Sequence, residues 1–332
     1  MTIEGKKIFI TGGAGFIGSH LVENLSKNNH VTIYDNLSRN ALNILDNPNH
    51  LNYRFIQGDI LDAPLLTRCI KDSEIVIHLA AIAGVQNVVN NPIKTIQTNV
   101  IGTLNILEAC YRNTNLEKFI DLSTSEVFGQ YANDVHEESS KVQGSIKEPR
   151  WTYASSKLTG EFLTQSYHRE FGIPTICIRP FNIYGPRQVG EGAIHHFIKR
   201  ALNNQDIIIN NNGSQIRSWC YIDDFVNGIL LVLKSTTPKG EDFNIGNPKA
   251  TITVLDLAKL IIRLTNSNSK IVFNAIDYAE IENRIPNIGK ARQLLNYVPH
   301  INLELGLQKT IKWYKKSKTE ALDETKLKAL CV

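Results

Sequence analysis

Tyr153 and Lys157 stand four residues apart in Tyr153-Ala154-Ser155-Ser156-Lys157, inside a segment that reads as a helix. Their side chains therefore share a face. An ammonium beside a phenol favours the phenolate and lowers its proton affinity. Such a tyrosine can take the proton of an alcohol while hydride leaves the same carbon for a nicotinamide. The lysine can also hold the nicotinamide ribose. The spacing alone describes an ordinary surface pair equally well. What adds weight is Thr124, just past a strand-like run, whose hydroxyl would orient the substrate alcohol.

A hydride acceptor needs a site, and the start of the chain offers one. Thr11-Gly12-Gly13-Ala14-Gly15-Phe16-Ile17-Gly18 follows a strand-like run and opens a helical pattern. Gly12, Gly15 and Gly18 permit a tight turn, close approach of backbone to a pyrophosphate, and close packing of helix on sheet. The helix N-terminus adds free N–H groups and a positive dipole end. Asp35 ends the second strand, 17 residues after Gly18. A carboxylate there can accept bonds from the adenosine ribose and repels a 2′-phosphate, which favours NAD over NADP. Asp35-Asn36 is also a natural turn pair, but the loop context favours the cofactor role. Asp59, after the third strand, is expected at the adenine.

The elements that must position these residues are legible in the first half. Strands are expected at 7–11, 30–35, 51–57, 74–79, 118–123 and 174–178. Helices are expected at 16–27, 63–71, 93–111 and 152–171. This alternation implies an α/β fold of the Rossmann type, a doubly wound parallel sheet covered on both faces. After Pro180 turn residues become frequent and elements shorter. The expectation is an NAD-binding domain over residues 1–180 and a smaller mixed α/β substrate lobe over 181–332, with 221–235 returning to the first as a helix. Residues 129–150 read as a long loop near the site.

The motifs Gly12-x-x-Gly15-x-x-Gly18, His78-Leu79-Ala80-Ala81, Ser123-Thr124-Ser125-Glu126, Tyr153-x-x-x-Lys157 and Arg179-Pro180-Phe181-Asn182 occur in this order. In this combination the chain resembles the extended short-chain dehydrogenases/reductases of the nucleotide-sugar epimerase/dehydratase/decarboxylase group, from about residue 6 to residue 316. The resemblance implies that Phe16, Ile17, Asn36, Ile60, Leu79, Ala80, Ala81, Asn99 and Ser123 join the glycines, Asp35 and Asp59 around the cofactor. It implies that Gln86, Asn182, Arg217 and Arg284 meet the nucleotide-sugar substrate, with Arg217 and Arg284 at the diphosphate side. Two guanidinium forks suit a diphosphate. It also implies a homodimer built on helices 93–111 and 152–171.

Members of the group oxidise the sugar transiently at C4. The ketone acidifies the C5–H and turns a C6 carboxylate into a β-keto acid. Glu126 is a carboxylate where C5 chemistry would use one, although a Glu in the first turn of a helix is also favoured by the dipole. Thr124-Ser125-Glu126 is similar to the UDP-glucuronate decarboxylases and is shared by GDP-mannose dehydratases, while Asn91-Pro92-Ile93-Lys94-Thr95 and Arg284-Ile285-Pro286-Asn287-Ile288 resemble the decarboxylases. The expected activity is therefore of UDP-glucuronate decarboxylase type. The alternatives are a nucleotide-sugar 4,6-dehydratase and a UDP-sugar 4-epimerase. Gln86 departs from the pattern, because glucuronate-handling 4-epimerases carry Arg there. A non-enzymatic NAD-binding sensor or scaffold is the other class. Such proteins lose the Tyr or the Lys, whereas Thr124, Tyr153 and Lys157 all stand here beside Glu126.

Composition narrows the rest. The chain has 332 residues, 42% hydrophobic and 20% charged, with a net charge of +4. These are ordinary values for a globular protein. Lys312, Lys315, Lys316 and Lys318 read as a solvated helix end, and no nucleic-acid motif accompanies them. His195-His196 has no third ligand at a suitable spacing, so no metal is expected. The five cysteines, at 69, 110, 177, 220 and 331, include no CxxC pair and suit a reducing compartment. No run is long enough for a signal peptide or a bilayer span, so the expectation is a cytoplasmic protein without membrane contact.

Overall fold

In the computed structural model, residues 3–42, 51–236, 239–276 and 279–330 are described, with side chains to residue 316. Cys331 and the side chain of Lys318 lie outside the described residues. The large sheet takes its first five strands from the N-terminal half: β1 (Lys7–Thr11), β2 (His30–Asp35), β3 (Tyr53–Gln57), β4 (Ile75–His78) and β5 (Lys118–Leu122). Next come β6 (Tyr131–Val135), β7 (Thr175–Pro180), β8 (Ile183–Tyr184), β9 (Ile207–Asn210), β10 (Ile216–Ser218) and β11 (Cys220–Tyr221). The last four are β12 (Glu241–Ile245), β13 (Thr251–Thr253), β14 (Ile271–Asn274) and β15 (Asn283–Pro286). The helices are α1 (Phe16–Leu25), α2 (Ala63–Ile70), α3 (Val85–Asn90), α4 (Pro92–Ile96), α5 (Gly102–Tyr111) and α6 (Trp151–Phe171). They continue with α7 (Ala193–Leu202), α8 (Ile222–Lys234), α9 (Val254–Thr265), α10 (Gly289–Leu295) and α11 (Leu303–Leu330).

The large sheet has the order β12-β7-β5-β4-β1-β2-β3, and all its pairs are parallel. A parallel sheet buried on both faces needs apolar residues in succession. Ile8, Phe9 and Ile10 of β1 supply them, each at most 1% exposed. Ile8 and Ile10 join the core beneath α1 and α8, while Phe9 joins the opposite core with residues of α2 and α5. Chain order reverses between β1 and β4, which opens a crevice at the carboxyl ends of those strands. The expected fold class is the one found.

Three expectations are corrected. The segment 129–150 is not loop throughout, because β6 pairs in parallel with β15 in a four-stranded sheet of order β13-β10-β15-β6. Its partner lies some 150 residues away, so no local pattern announces it. The expected helix 93–111 starts at Pro92 and widens into a π turn over Gln97–Ile101. Finally, residue 180 does not bound the large sheet. β12 pairs with β7, and the Lys118 ammonium fastens the end of α8 through the carbonyls of Val232, Leu233 and Ser235. Among the described residues, no helix is long and apolar enough to cross a membrane.

The attachment of β12 is electrostatic as well as backbone-mediated. The Arg179 guanidinium on β7 donates to both oxygens of Glu161 on α6, at 2.8 Å each, and lies 2.6 Å from Asp242 on β12. Removing one partner of a buried pair leaves the others uncompensated. Arg179→Met is therefore expected to destabilise the fold by about 3–5 kcal/mol. Urea unfolding checks this, and a loss under about 1 kcal/mol would contradict it.

Candidate active site

The crevice at the reversal point holds a cavity of about 530 Å³, lined by Gly12, Gly15, Phe16, Ile17, Gly18, Asp35, Asn36, Asp59, Ile60, Leu79, Ala80, Ala81, Ser123, Tyr153 and Lys157 among others. The glycines build its floor. A Cβ on Gly12 would come within 2.6 Å of the Ala80 nitrogen, and one on Gly18 within 2.4 Å of the Gly12 carbonyl oxygen. Gly15 is different. A Cβ there would meet only that same oxygen, at 3.3 Å, and would otherwise project into open space. Gly15 is the N-cap of α1 and brings no side chain to it. The first N–H groups of α1 thus have no side-chain cap, as a pyrophosphate requires.

Asp35 is 7% exposed and ends β2 at the cavity wall. Its two oxygens accept from the N–H groups of Ala14, at 3.0 Å, and Leu37, at 2.7 Å. Burial pushes its carboxyl up, against the pull of those two donors. Asn36 donates to Asp59 across 3.1 Å, which closes that end of the pocket. The uncapped helix, the open face of Gly15 and the acidic end at Asp35 fit a dinucleotide without a 2′-phosphate.

Ser123, Tyr153 and Lys157 line the inner end. Thr124 caps the short 3₁₀ turn over Ser125–Phe128, and its hydroxyl accepts from the Glu126 N–H at 3.2 Å. Burial and the Glu126 carboxylate raise the Tyr153 phenol well above its ordinary value, while the Thr124 hydroxyl and Arg39 oppose that shift. The phenol is thus raised, where Lys157 was expected to lower it. Lys157, 3% exposed, holds its ammonium 3.9 Å from Asp121 instead.

Beside Tyr153 lies a second group of residues. Arg284 is 2% exposed and donates to the Ser125 hydroxyl at 3.2 Å and the Gly129 carbonyl at 3.4 Å, while its Nε has no partner among the described residues. Burial lowers it to about 10, against the attraction of Glu126. Arg217 donates to the carbonyls of Ile216, Glu282 and Ile281 and is lowered to about 10 by burial and by Arg150. Asn182 sits in the left-handed region and donates to the Ser218 carbonyl at 2.9 Å, next to Arg217.

Thr124, Ser125, Glu126, Asn182, Arg217 and Arg284 do not line this cavity, and neither do Gln86 and Asn99. Gln86 is exposed and turns its amide to Asn90, at 3.1 Å. Asn99 is spent on structure: its amide bonds both backbone groups of Ile82 and the Ser156 hydroxyl, tying the loop after β4 to α6. Trp219 is buried edge-on against Tyr184 and does not line the cavity.

Three residues at the site were not foreseen. Arg39 reaches across the cavity to the Ala83 carbonyl at 2.8 Å. Glu191 accepts from the N–H groups of Gln86 and Asn87 at the start of α3. Arg150, 8% exposed, has no partner for its Nε among the described residues. The faint signals were a cation four residues after Asp35, a carboxylate between two glycines, and a cation just ahead of Tyr153.

Residues 8–246 match the model of the NAD dependent epimerase/dehydratase family. The chain is 35% identical over 320 residues to a UDP-N-acetyl-alpha-D-glucosaminuronate decarboxylase of Bacillus cytotoxicus, covering 93% of this chain and 98% of that protein. It is 36% identical over 362 residues to a dTDP-D-glucose 4,6-dehydratase of Dictyostelium discoideum, covering 94% and 82%. The crystal structure of UDP-glucuronic acid 4-epimerase from Bacillus cereus, in complex with UDP-glucuronic acid and NAD, superposes with a TM-score of 0.84 at 33% identity, covering 93% of this chain and 99% of that one.

Gly15→Ala tests the cradle directly, because its methyl group enters the space left for a phosphate. NAD affinity measured by calorimetry is expected to fall about tenfold or more, roughly 1.4 kcal/mol. Unaltered affinity would show that the pyrophosphate lies elsewhere.

Proposed function

Because the chain belongs to the NAD-dependent epimerase/dehydratase family, we propose that it decarboxylates a UDP-linked uronic acid through a transient 4-keto sugar. The observation that carries this reading is Arg284: a buried guanidinium, with one N–H unpaired, beside Ser125, Glu126 and Tyr153. A buried cation with spare donors asks for an anion. A C6 carboxylate held beside Tyr153 meets that need. The relative that decarboxylates a UDP-N-acetylglucosaminuronate, and the neighbour that binds UDP-glucuronic acid, support a uronate.

Bound NAD supplies the hydride acceptor for the sugar C4. Tyr153 Oη removes the proton of the C4 hydroxyl, with the Thr124 hydroxyl fixing that alcohol's direction. The C4 ketone makes the C6 carboxylate a β-keto acid, so the C5–C6 bond breaks with its electron pair passing to C5 and the C4 oxygen. Carbon dioxide leaves, C5 takes up a proton relayed from solvent by Glu126, and C4 then regains hydride while Tyr153 gives its proton back to the C4 oxygen. Arg150 and Arg217 hold the diphosphate. Residues 181–332, apart from α8 and β12, serve as the nucleotide-sugar lobe.

Dehydration of a nucleotide hexose is the second reading, and Glu191 favours it. An anion lines the cavity where the loop 83–87 would otherwise offer charge to a uronate. Product mass after incubation with NAD and a panel of UDP-, dTDP- and GDP-sugars separates the readings. Loss of carbon dioxide from UDP-glucuronate or UDP-N-acetylglucosaminuronate is expected, with Arg284→Met slower by about 10²-fold or more. Loss of water from a hexose, or an isomer of unchanged mass, would overturn the decarboxylase reading.

A homodimer is part of the proposal, and the partner surface is the outer face of α4, α5 and α6. Ile93 is 73% exposed, Ile96 49%, Ile101 46% and Phe162 67%. Apolar side chains grouped in this way mark an association surface. The unpaired thiols of Cys69, Cys110, Cys177 and Cys220 suit the reducing cytoplasm. Sedimentation of the Ile93→Asp, Phe162→Asp double variant is expected to give a monomer; a wild-type sedimentation coefficient would count against this face.

A further inference from the structure

Asp121 occupies a position that the fold alone does not explain. It lies in β5 between Ile120 and Leu122, in the middle of the large sheet, and is 0% exposed. Such a strand position ordinarily carries an apolar side chain. Among the described residues neither carboxylate oxygen has a well-formed hydrogen bond, and the one donor that favours its charged form is the nearby Thr164 hydroxyl of α6. An unsolvated carboxylate with so little donation is costly unless a cation compensates it.

The compensating cation is Lys157, at 3.9 Å. The other groups facing Asp121 offer no positive charge. Glu161, from α6, repels it. His78, its neighbour on β4, is pushed down to about 3 by burial and is neutral. Cys177, its neighbour on β7, is raised by burial and stays a thiol. Gly160 leaves room above the carboxylate, since a Cβ there would still stand 4.0 Å from Asp121 Oδ2.

We propose that Asp121 is a positioning residue, which holds the Lys157 ammonium at the floor of the pocket and offsets part of the charge that Lys157 presents to Tyr153. The charged groups around Tyr153 itself are Glu126, Arg39, Arg284 and, from below, Asp121. Asp121 does not line the cavity. It acts on Tyr153 through the position of Lys157 as well as directly, and the inference rests on Tyr153 being the group that moves the proton.

Asp121→Asn removes the anion and keeps the shape. In the NAD complex, the pH-dependent tyrosinate absorbance that Tyr153→Phe abolishes is expected to move to lower pH by about one unit or more. The acid limb of kcat/KM should move the same way. In a Lys157→Met background the absorbance shift should be smaller, because only the direct effect of Asp121 remains. A curve that stays in place or moves to higher pH, or an equal shift in both backgrounds, would overturn the proposal. Asp121→Ala replaces the Asn variant if that variant fails to fold. The absorbance requires no substrate, so the two readings fail separately. A moved curve without turnover of any nucleotide sugar would sink the proposed function alone. Turnover with an unmoved curve would sink the role of Asp121 alone.

Discussion

The close approach of Gly12 to the backbone of Ala80 is the constraint on which the rest depends. It lets the turn after β1 pass directly over the end of β4, so that α1 begins inside the crevice and not above it. Gly18 then allows α1 to lie against the same turn. The ends of the two strands are tied beneath it. The Thr11 hydroxyl meets His78 Nδ1 at 2.7 Å, and His78 Nε2 meets the Thr103 hydroxyl at 3.1 Å, which joins β1, β4 and α5 in one chain of bonds. Burial keeps that histidine neutral, so one ring nitrogen donates and the other accepts.

α6 closes the same crevice from the other side. Tyr153 and Lys157 face the cavity, and Glu161, one turn further, accepts from Ser123 and Arg179. Each step of four residues therefore engages a different strand end: Lys157 meets β5, and Glu161 meets the turn after β5 and then β7. Phe162, on another side of the helix, is left exposed. This division explains why α6 shows no single apolar stripe. A helix that meets the sheet with charged groups and offers hydrophobic ones outward reverses the usual pattern of a surface helix.

What could be read from the sequence follows the range of the forces involved. The β1-α1-β2 unit, its glycines and Asp35 are local, because a strand, a tight turn and a helix start are each written in neighbouring residues. Tyr153 and Lys157 were legible for the same reason. β6 was not, since its strand character comes from pairing with β15 far along the chain. The direction of a side chain was also hidden. Gln86 and Asn99 have suitable chemistry close to the cavity, but one prefers a neighbour a turn away and the other braces a loop. Arg39, Arg150 and Glu191 lie in turns, where spacing says nothing about reach.

In the proposed function, the sugar half of the site is decided by a register. Arg217 on β10 and Arg284 on β15 are direct partners in a parallel pair, so their side chains leave the sheet on the same face. Like charges in that relation repel, and both guanidiniums are lowered to about 10 as burial and repulsion act together. Arg150 adds a third positive charge from the residue before α6. Glu126 faces both Arg217 and Arg284, while Glu280 and Glu282 act on Arg217. An anionic ligand would offset the repulsion among the guanidiniums, and its two ends need not be alike. The side nearest Arg217 and Arg150 suits a diphosphate, while Arg284, hydrogen-bonded to Ser125, answers to whatever stands over Tyr153. Whether that second group is a carboxylate separates a uronate from a neutral hexose as the sugar.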